Sequence, residues 1–456
     1  MTIAVVGGGI SGLTVAHALS SRGREVVVLE AQARAGGLIR SEREDGFLLE
    51  WGPNSLLDRE PALRTLVEAL GLSGRLVSAQ PAVKRRFVYT RGALRALPGS
   101  PPAFVKSDVL PLGARLRVVG ELFSSRAKPG EDESLASFAR RHLGRAATET
   151  LVDAMQTGIY AGDPEKQSVA AVFPQLVKME REHRSLLLAL IRGERQRRKS
   201  PPPPSPLTGA VMTFDGGLGT LVRALEEALG PAVQRGVALQ GLSREGTRWR
   251  LSLARGGAPE TLVCDEVVLS TPAYVSAEAV RPLDTALAEE LSGIRYAPIA
   301  VVHLGYARAD AESVPDGFGY LIPEREGENL LGCIFASSVF PFRAPDDGVL
   351  LSCMVGGARH PERVALSEEA LVTLAREAVQ KQLGLAAAPR HARAIRWPRG
   401  IPQYELGHLA RLERIDARLA GLPGLHLTGN AYKGVGVNDC VRNALALAER
   451  IAPGKA

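Results

Sequence analysis

The order of apolar runs and polar breaks at the start of the chain is typical of an α/β protein. Ile3–Val6 is an apolar run long enough for a buried strand, and Leu13–Ser21 has the apolar spacing of a helix. The glycine-rich segment Gly7–Gly12 lies between them, and Glu25–Leu29 is a second apolar run that Glu30 ends. A strand, a G-x-G-x-x-G turn, a helix and a second strand in this order predict a βαβ unit that binds a dinucleotide.

The three glycines of the G-x-G-x-x-G pattern have distinct predicted roles. Gly7 permits the tight turn, Gly9 lets a pyrophosphate approach the main chain, and Gly12 lets helix and strand pack closely. The helix N-terminus offers free N–H groups and partial positive charge to the phosphates. Glu30 has the spacing of an acid that binds a ribose hydroxyl. The alternative is a ligand-free α/β turn, which this combination disfavours. The predicted contacts are Gly7, Gly8, Gly9, Ile10, Ser11, Gly12, Glu30 and Ala31.

The middle of the chain has mainly helical periodicity. Arg85–Arg95 is predicted to form a hairpin that turns at Arg91-Gly92, and Pro61–Leu70 a helix. A stiff proline-rich linker follows the helices at Pro201–Pro206. The predicted helices between the hairpin and this linker are Ala114–Leu122, Ser134–Leu143, Thr148–Gln156 and a long basic helix at Gln175–Arg198.

The second half of the chain is richer in strands. Apolar and polar residues alternate from Arg248 to Leu253, which predicts a half-exposed strand. Asp265–Pro272 is predicted to be a buried strand that ends on a turn. The last strand and helix are predicted at Leu425–Thr428 and Val437–Ile451, after a helix at Ser367–Leu383. An antiparallel sheet is predicted from four strands without intervening helices, namely Ala300–Leu304, Gly319–Ile322, Leu331–Phe335 and Val349–Val355.

Length and charge narrow the classes of function. A chain of 456 residues predicts two or more domains. The net charge is +7, and residues 81–206 alone carry 22 Lys+Arg against 12 Asp+Glu. This basic segment is either a solvated helical surface or a surface for an anionic membrane or substrate. Nucleic acid is disfavoured because no recognised binding motif accompanies the charge.

Other patterns exclude some chemistry. The four cysteines are far apart without metal-type or disulfide-type spacing, and no catalytic triad stands out, so we predict neither a metal site nor a side-chain catalyst. A bound cofactor would then carry the hard step, while the protein orients the substrate. The first strand begins at once, which leaves no room for a signal peptide, and no apolar run approaches the roughly 18 residues of a membrane span.

Three further motifs carry a resemblance to a known family. Arg34-Ala35-Gly36-Gly37 follows the ribose-binding acid, and Gly52-Pro53-Asn54-Ser55 comes after it. Gln156–Pro164 and Gly429–Cys440 are more specific. With these motifs the chain resembles the flavin-dependent amine oxidase superfamily and, within it, the oxygen-dependent protoporphyrinogen oxidases. The resemblance extends from Ile3 to about Ile451.

The resemblance implies non-covalently bound FAD. Gly436 would let the backbone approach the flavin ring, and the following helix N-terminus would stabilise negative charge on the reduced ring. The alternative is a glycine-rich helix start capped by Asn438 or Asp439. The resemblance places Val237 beside the adenine and Asn54 where flavin and substrate meet. The remaining implied cofactor contacts are Arg34, Gly37, Leu38, Gly52, Pro53, Ser55, Val435, Gly436 and Val437.

The resemblance also implies a tetrapyrrole substrate with propionates. Arg95 matches a family position that can meet a propionate, although surface arginines are common in this segment. Gly158 matches a family glycine near the substrate, or else marks a helix end. Four apolar positions match residues that sandwich the rings, or else belong to ordinary sheet core: Phe318, Leu321, Ile334 and Met354.

The expected fold class is α/β, with a discontinuous Rossmann-like FAD-binding domain, an antiparallel substrate domain and a helical domain that associates with a membrane. The FAD-binding domain would comprise residues 1–84, 207–290 and the end of the chain. The basic helical domain would comprise residues 85–206, the substrate domain 291–395, and the substrate-domain return with the last FAD-binding part 396–456.

The resulting hypothesis is an FAD-dependent oxidase that converts protoporphyrinogen IX to protoporphyrin IX in haem biosynthesis, with O2 as acceptor and H2O2 as product. Coproporphyrinogen III is the nearest alternative substrate, and a flavin amine oxidase or a redox-inactive nucleotide-binding protein are further alternatives. The expected partners are the porphyrinogen, O2 and a membrane surface, without nucleic acid. The expected location is cytoplasmic and peripheral to the inner membrane. The sequence leaves the oligomeric state open, a homodimer included.

Overall fold

The computed structural model describes residues 1–123, 130–183, 185–199 and 208–453. The predicted proline-rich linker Pro201–Pro206 lies outside the described residues. The strands are β1 (Thr2–Val6), β2 (Glu25–Glu30), β3 (Ser41–Glu44), β4 (Phe47–Glu50), β5 (Leu56–Leu57), β6 (Leu76–Ser78), β7 (Phe87–Thr90), β8 (Ala93–Ala96), β9 (Val211–Phe214), β10 (Val233–Arg235), β11 (Val237–Glu245), β12 (Arg248–Arg255), β13 (Ala258–Cys264), β14 (Glu266–Leu269), β15 (Tyr296–Ala307), β16 (Gly319–Leu321), β17 (Leu330–Ile334), β18 (Gly348–Gly356), β19 (His391–Pro402) and β20 (Leu425–Leu427).

Helices surround these strands and connect them. They are α1 (Ile10–Ser20), α2 (Pro61–Ala69), α3 (Pro101–Lys106), α4 (Leu112–Val119), α5 (Leu135–Leu143), α6 (Arg145–Ala147), α7 (Asp153–Tyr160), α8 (Val169–Val172), α9 (Pro174–His183), α10 (Leu186–Lys199), α11 (Gly219–Leu229), α12 (Ala273–Val280), α13 (Thr285–Ser292), α14 (Ala336–Val339), α15 (Glu368–Leu383), α16 (His408–Leu419) and α17 (Val437–Ile451).

A five-stranded parallel sheet in the order β10-β2-β1-β14-β20 forms the centre of the nucleotide-binding unit. Its strands come from three distant parts of the chain, since β1 pairs with both β2 and β14, and β14 pairs with β20. One core cluster joins residues of α1, α11 and α17, among them Leu13, Leu225 and Val441, all buried. The predicted strand-turn-helix-strand at the start of the chain and the discontinuous parallel sheet are therefore confirmed.

The second large sheet has seven strands in the order β19-β15-β18-β17-β16-β7-β8. Neighbouring strands pair antiparallel except β16 and β7, which pair parallel. Helix α15 covers one face, where Leu371 and Val379 pack against Val302 and Cys353 in one buried cluster. The four predicted strands lie in this sheet, so the antiparallel sheet that they predicted is confirmed.

One strand of this sheet was missed, and a predicted hairpin pairs with the sheet instead of with the helices. Strand β19 was missed because its sequence mixes arginines with a proline and a glycine, although its backbone pairs with β15 over almost its whole length. The predicted hairpin at Arg85–Arg95 forms as β7 and β8, with Arg91 and Gly92 at positive φ, but it hydrogen-bonds to β16. Strand pairing therefore puts the hairpin with this sheet, whereas the predicted division put it with the helices.

The helical part, which comprises the helices between β8 and β9, differs from the prediction in two places. The long helix predicted over Gln175–Arg198 is two helices, α9 and α10. The break is fixed by Glu121, whose carboxylate is buried and accepts hydrogen bonds from the N–H groups of Leu186 and Leu187 at 2.8 and 3.1 Å. A buried anion at these N–H groups starts a new helix there. The helix predicted to end at Gln156 continues to Tyr160, because Ala161 adopts a left-handed conformation and ends it.

Smaller elements complete the fold. Strands β11, β12 and β13 form a three-stranded sheet in which Trp249, Leu251 and Leu253 are buried, as their alternation predicted. The remaining strands form a two-stranded sheet, β3-β4, and a three-stranded sheet, β5-β9-β6. Helices α12, α13 and α16 were not predicted. Within the described part of the chain, no helix has both the length and the apolar character to cross a bilayer.

Candidate functional site: two glycine turns on one cavity

The first glycine turn is held by contacts that tolerate no side chain. Gly7 has φ +102°, and its N–H donates to the carbonyl of Leu29 at 2.8 Å. A Cβ on Gly12 would collide with the carbonyl oxygen of Gly7 and the hydroxyl of Ser270. A Cβ on Gly9, by contrast, would meet no protein atom within 4 Å. Gly7 and Gly12 therefore serve the local packing, whereas Gly9 borders open space.

Glu30 is tied to the same turn. Its side chain is buried, and its two oxygens accept hydrogen bonds from the N–H groups of Gly8 at 2.7 Å and Gln32 at 2.8 Å. These contacts hold the carboxylate at the end of β2, beside the start of α1. An acid at this place, next to a helix N-terminus, suits a ribose hydroxyl followed by phosphates.

A cavity of about 700 Å³ lies over this turn and also touches the far end of the chain. Val435 and Val437, on either side of Gly436, border the cavity together with Gly9. Gly436 is the N-cap of α17 and makes no side-chain cap, so the predicted alternative of Asn438 or Asp439 as N-cap is wrong. Two uncapped helix N-termini, those of α1 and α17, thus begin beside one cavity.

The cavity brings together most of the predicted cofactor residues. Those that line it are Gly7, Gly9, Ile10, Ser11, Glu30, Ala31, Gly37, Leu38, Pro53, Val237, Val435 and Val437. The others are not among its lining residues, namely Gly8, Gly12, Arg34, Gly52, Asn54, Ser55 and Gly436. Their role as cofactor contacts stays a prediction.

The segment after Glu30 supports the cavity wall. Arg34 donates from one guanidinium nitrogen to the carbonyl of Gly37 at 3.0 Å, and Gly37 has φ +58°. A Cβ on Gly52 would collide with the carbonyl oxygen of Leu38. Arg34 therefore braces the glycine pair instead of reaching into the cavity, and Gly52 allows the Gly52–Ser55 turn to approach that segment.

The lining residues that the sequence analysis missed include Tyr274, Trp397 and Arg399. The indole N–H of Trp397 donates to the carbonyl of Trp51 at 2.7 Å, and the Arg399 guanidinium lies 4.4 Å from the centre of the Tyr274 ring. The only signal was the cluster of Trp, Pro, Arg and Gly at 397–400, which marks a bend in a strand but no ligand.

Three of the predicted substrate residues, Arg95, Leu321 and Met354, share one face of the seven-stranded sheet. In the strand register Arg95 is opposite Val88, Val88 is beside Leu321, Leu321 is opposite Gly332, and Gly332 is opposite Met354. Residues in register point to the same side of a sheet. Arg95, Leu321 and Met354 therefore form one row on the face opposite α15. Arg95 forms an ion pair there with Asp108.

The other predicted substrate residues surround this row. Ile334 belongs to the next row on the same face, and Phe318 precedes β16 with Arg86 stacked at 5.2 Å from its ring. Gly158 on α7 faces the side chain of Leu321. Phe318, Leu321, Ile334 and Met354 are only half-buried, unlike the core face of the same strands. A half-buried apolar face next to a helix fits a flat apolar ligand, and its substrate role stays a prediction.

Asn54 is attached to a buried ion pair that sequence reasoning missed. Arg343 donates to the Asn54 side-chain oxygen at 3.0 Å and also to its backbone carbonyl. Its second partner is Glu50 at 3.4 Å, and both charged side chains are 1% exposed. Burial raises the pKa of the Glu50 carboxyl and lowers the pKa of the Arg343 guanidinium, which nearby opposite charge counters in each case. A lone arginine after Phe340-Pro341-Phe342 gave no signal of this ion pair.

The fold and the cavity define a class of protein, an α/β protein in which two glycine turns beside a parallel sheet border one cavity. The chain belongs to the flavin containing amine oxidoreductase family, whose sequence profile matches residues 10–452. The flavin that this family description names is the cofactor class that the cavity fits, because two helix N-termini and a glycine turn meet there.

Individual relatives are similar over nearly the whole chain. Human protoporphyrinogen oxidase is 35% identical over 474 residues, which cover 97% of this chain and 96% of the relative. Coproporphyrinogen III oxidase of Bacillus subtilis is 29% identical over 455 residues, 96% of this chain and 95% of the relative. A crystal structure from Exiguobacterium, provisionally assigned as a protoporphyrinogen oxidase, superimposes with a TM-score of 0.85 at 28% identity and covers 99% of this chain and 98% of the other.

Proposed function

We propose that this protein is an FAD-dependent oxidase that converts protoporphyrinogen IX to protoporphyrin IX, with O2 as acceptor. The observation that carries the proposal is the single cavity shared by the two glycine turns, Gly7–Gly12 and Val435–Val437. The similarity to human protoporphyrinogen oxidase supports the choice of substrate class. Six electrons leave the macrocycle in three steps, so three O2 are reduced to three H2O2.

FAD is proposed as the specific flavin because the cavity continues from the glycine turns to Glu30 and Val237. The N–H groups at the start of α1 would bind the pyrophosphate. Glu30 would bind the ribose, and Val237 would contact the adenine. Cys440 borders the cavity, and burial raises the pKa of its thiol to about 11. A protonated thiol is a poor nucleophile, which supports non-covalent binding.

The flavin, when bound, supplies the acceptor for a hydride from a ring carbon of the porphyrinogen. The residues of the chain would orient the reactants. The start of α17 would favour negative charge on the flavin ring, and Gly436 would allow the backbone to approach the ring. Leu321, Met354 and Ile334 would form an apolar slot for the macrocycle.

Arg95 would bind a propionate at the end of this slot. It lies in the row of Leu321 and Met354, and a guanidinium makes charge-assisted bonds to carboxylates. In the free protein its partner is Asp108, which is largely exposed and can be replaced by a substrate carboxylate. Gly158 would set the distance between α7 and the slot.

We further propose that the helical part, residues 101–199, meets a membrane surface at the cytoplasmic side of the inner membrane. Leu112 and Leu116 on α4 are 60% and 59% exposed, and Arg115 and Arg117 lie on the same helix. Exposed apolar side chains next to cations suit an interface with anionic lipid.

Coproporphyrinogen III is the second candidate substrate, and the Bacillus subtilis relative favours it. It carries four carboxylates instead of two. The test is porphyrin fluorescence from each porphyrinogen, in air and without oxygen, with oxygen uptake recorded in parallel. Faster formation of protoporphyrin in air supports the proposal, whereas faster formation of coproporphyrin supports the second candidate.

The controls for this assay separate the remaining alternatives. Protein stripped of flavin corrects for spontaneous oxidation, and its activity should return on adding FAD. Peroxide release with amines instead of porphyrinogens would identify an amine oxidase. A colourless, folded protein that takes up no oxygen and does not bind FAD would contradict the proposal altogether.

A further inference from the structure

The cavity shared by the two glycine turns has one side-chain cation. Among the described residues that line it, Arg399 is the only basic residue and Glu30 the only acidic one. The Glu30 carboxylate already accepts two backbone N–H groups. Arg34 does not line the cavity, and its guanidinium donates to backbone carbonyls of its own segment. Within the described lining, positive charge for an anionic ligand therefore comes from the helix N-termini and from Arg399.

A bulge in β19 brings Arg399 to the cavity. After Trp397 the register of β19 on β15 shifts, so that residues 398–400 stand opposite the single residue Pro298. A Cβ atom on Gly400 would lie 2.9 Å from a side-chain atom of β15, so the bulge packs closely only with glycine there. Bulges redirect side chains and are common beside binding sites. The bulge therefore gives Arg399 a position that regular strand pairing would not.

The guanidinium of Arg399 stacks on the ring of Tyr274, 4.4 Å from its centre. Tyr274 belongs to α12, which follows β14 of the parallel sheet, and Tyr296 packs edge-on against its ring at 5.2 Å. Stacking orients a guanidinium without using its N–H donors. We find no hydrogen bond or ion pair between this guanidinium and any residue that the structure describes. Its donors are therefore available to a ligand, and Arg399 and Tyr274 join the two large sheets beside the cavity.

We infer that Arg399 is a cofactor-binding cation, which the seven-stranded sheet offers to the pyrophosphate of the bound flavin dinucleotide, with Tyr274 as the ring on which it stacks. The pyrophosphate is the anionic part of such a ligand, and a guanidinium makes charge-assisted hydrogen bonds to phosphate. The inference rests on the proposed FAD site but not on which porphyrinogen is oxidised. Binding of FAD to the apoprotein therefore tests it without any measurement of turnover.

The first experiment is FAD titration of the apoprotein at low and high salt. R399Q should weaken FAD binding about tenfold at low salt, the value of one charge-assisted contact, and salt should reduce this difference because Arg399 is exposed. R399K should weaken it less, because lysine keeps the charge but loses the planar donors. R396Q is the control, since Arg396 is exposed on the same strand and does not line the cavity. Equal FAD affinity of R399Q and wild type would overturn the inference.

The second experiment identifies the group that Arg399 contacts, by competition of ADP and of adenosine with FAD. R399Q should weaken ADP binding about tenfold and leave adenosine binding unchanged, because only ADP carries the phosphates. An equal loss for both competitors would overturn the inference. A higher KM for the porphyrinogen with unchanged FAD and ADP affinity would also overturn it, and would assign Arg399 to a substrate carboxylate. A wild-type apoprotein that does not bind FAD would contradict the proposed function itself.

The third experiment is a double-mutant cycle between Arg399 and Tyr274. Y274F keeps the ring and should leave FAD affinity unchanged. Y274S removes the ring and should weaken FAD binding in the wild-type background but have little effect in R399Q. Equal effects of Y274S in both backgrounds would overturn the stacking role of Tyr274. Circular dichroism of each apoprotein checks that the variants are folded.

Discussion

A Cβ atom on Gly158 would lie 2.7 Å from the Cδ2 atom of Leu321, so α7 packs with its backbone against the predicted slot. G158A should therefore push α7 or Leu321 aside. We expect a higher KM for protoporphyrinogen with FAD binding unchanged, and a change in stability below about 1 kcal/mol, because the colliding atoms end a flexible side chain and alanine favours helix. Thermal unfolding and steady-state kinetics measure the two effects.

The control for this variant is G113A, because Gly113 also lies in a helix and a Cβ there would meet no atom within 4 Å. It should leave KM unchanged and not lower stability, since alanine favours helix. A KM in G158A equal to that of G113A would mean that α7 does not border the substrate.

Gly9 and Gly12 should respond differently to alanine. A Cβ on Gly9 would meet no protein atom, whereas one on Gly12 would collide with the Gly7 carbonyl. We expect G9A to leave the melting temperature of the apoprotein unchanged and to weaken FAD binding at least tenfold, because it fills space for the pyrophosphate. G12A should lower the stability of the apoprotein as well. Unfolding curves with and without FAD distinguish the two, and equal FAD affinity of G9A and wild type would refute this role of Gly9.

Arg95 should affect the substrate more than the cofactor. Loss of a charge-assisted hydrogen bond of about 1.5–3 kcal/mol predicts a KM about ten- to hundredfold higher in R95A, with unchanged FAD affinity. The variant D108N removes the partner of Arg95 in the free protein and should lower KM or leave it unchanged. R145A is the control, since Arg145 is 83% exposed on the helical part. An unchanged KM in R95A would argue against the propionate contact.

The pH dependence of stability should show a contribution from His303. Burial lowers the pKa of His303 from 6.5 to about 4, and one ring nitrogen lies 3.0 Å from the hydroxyl of Ser352. The unfolded chain takes up the proton first as pH falls. The contribution is therefore fully present above pH 6.5 and is lost as pH falls towards 4. We expect a loss of about 2 kcal/mol between pH 7 and pH 5.

Urea unfolding at the two pH values measures this loss, and H303Q provides the comparison. Glutamine keeps a donor and an acceptor but does not titrate, so the decrease between pH 7 and pH 5 should be smaller by about 2 kcal/mol. If the free energy of unfolding decreases equally in both proteins, His303 does not contribute to the pH dependence of stability.

Binding to lipid should depend on both apolar and basic residues of the helical part. We expect L112S/L116S and R192Q/R195Q each to weaken binding to vesicles that contain phosphatidylglycerol, and salt to weaken it further. R250Q/R255Q is a charge-matched control on the three-stranded sheet. Vesicle sedimentation measures the effect. Binding that is indifferent to salt and to all these substitutions would refute the membrane surface.

Sequence patterns predicted those elements that are determined by interactions within one short segment. The G-x-G-x-x-G turn, α1 and the buried strands β1, β2 and β14 follow from glycine placement and apolar runs. The alternation in β12 predicted its buried face. Strand β19 and the break between α9 and α10 could not be found in this way, because pairing with β15 and the distant carboxylate of Glu121 produce them.

The candidate site also combines features that the sequence predicts with contacts that only the folded chain creates. The sequence by itself determined which residues could approach a dinucleotide, since glycines, a helix start and Glu30 are neighbours along the chain. Only the tertiary structure decided that Val435 and Gly9 border one cavity and that Arg95, Leu321 and Met354 form one row. It alone revealed that Arg343 donates a hydrogen bond to Asn54, 289 positions away. The physical reason is that strand register and a buried ion pair are contacts between distant segments, which have no signature in either segment alone.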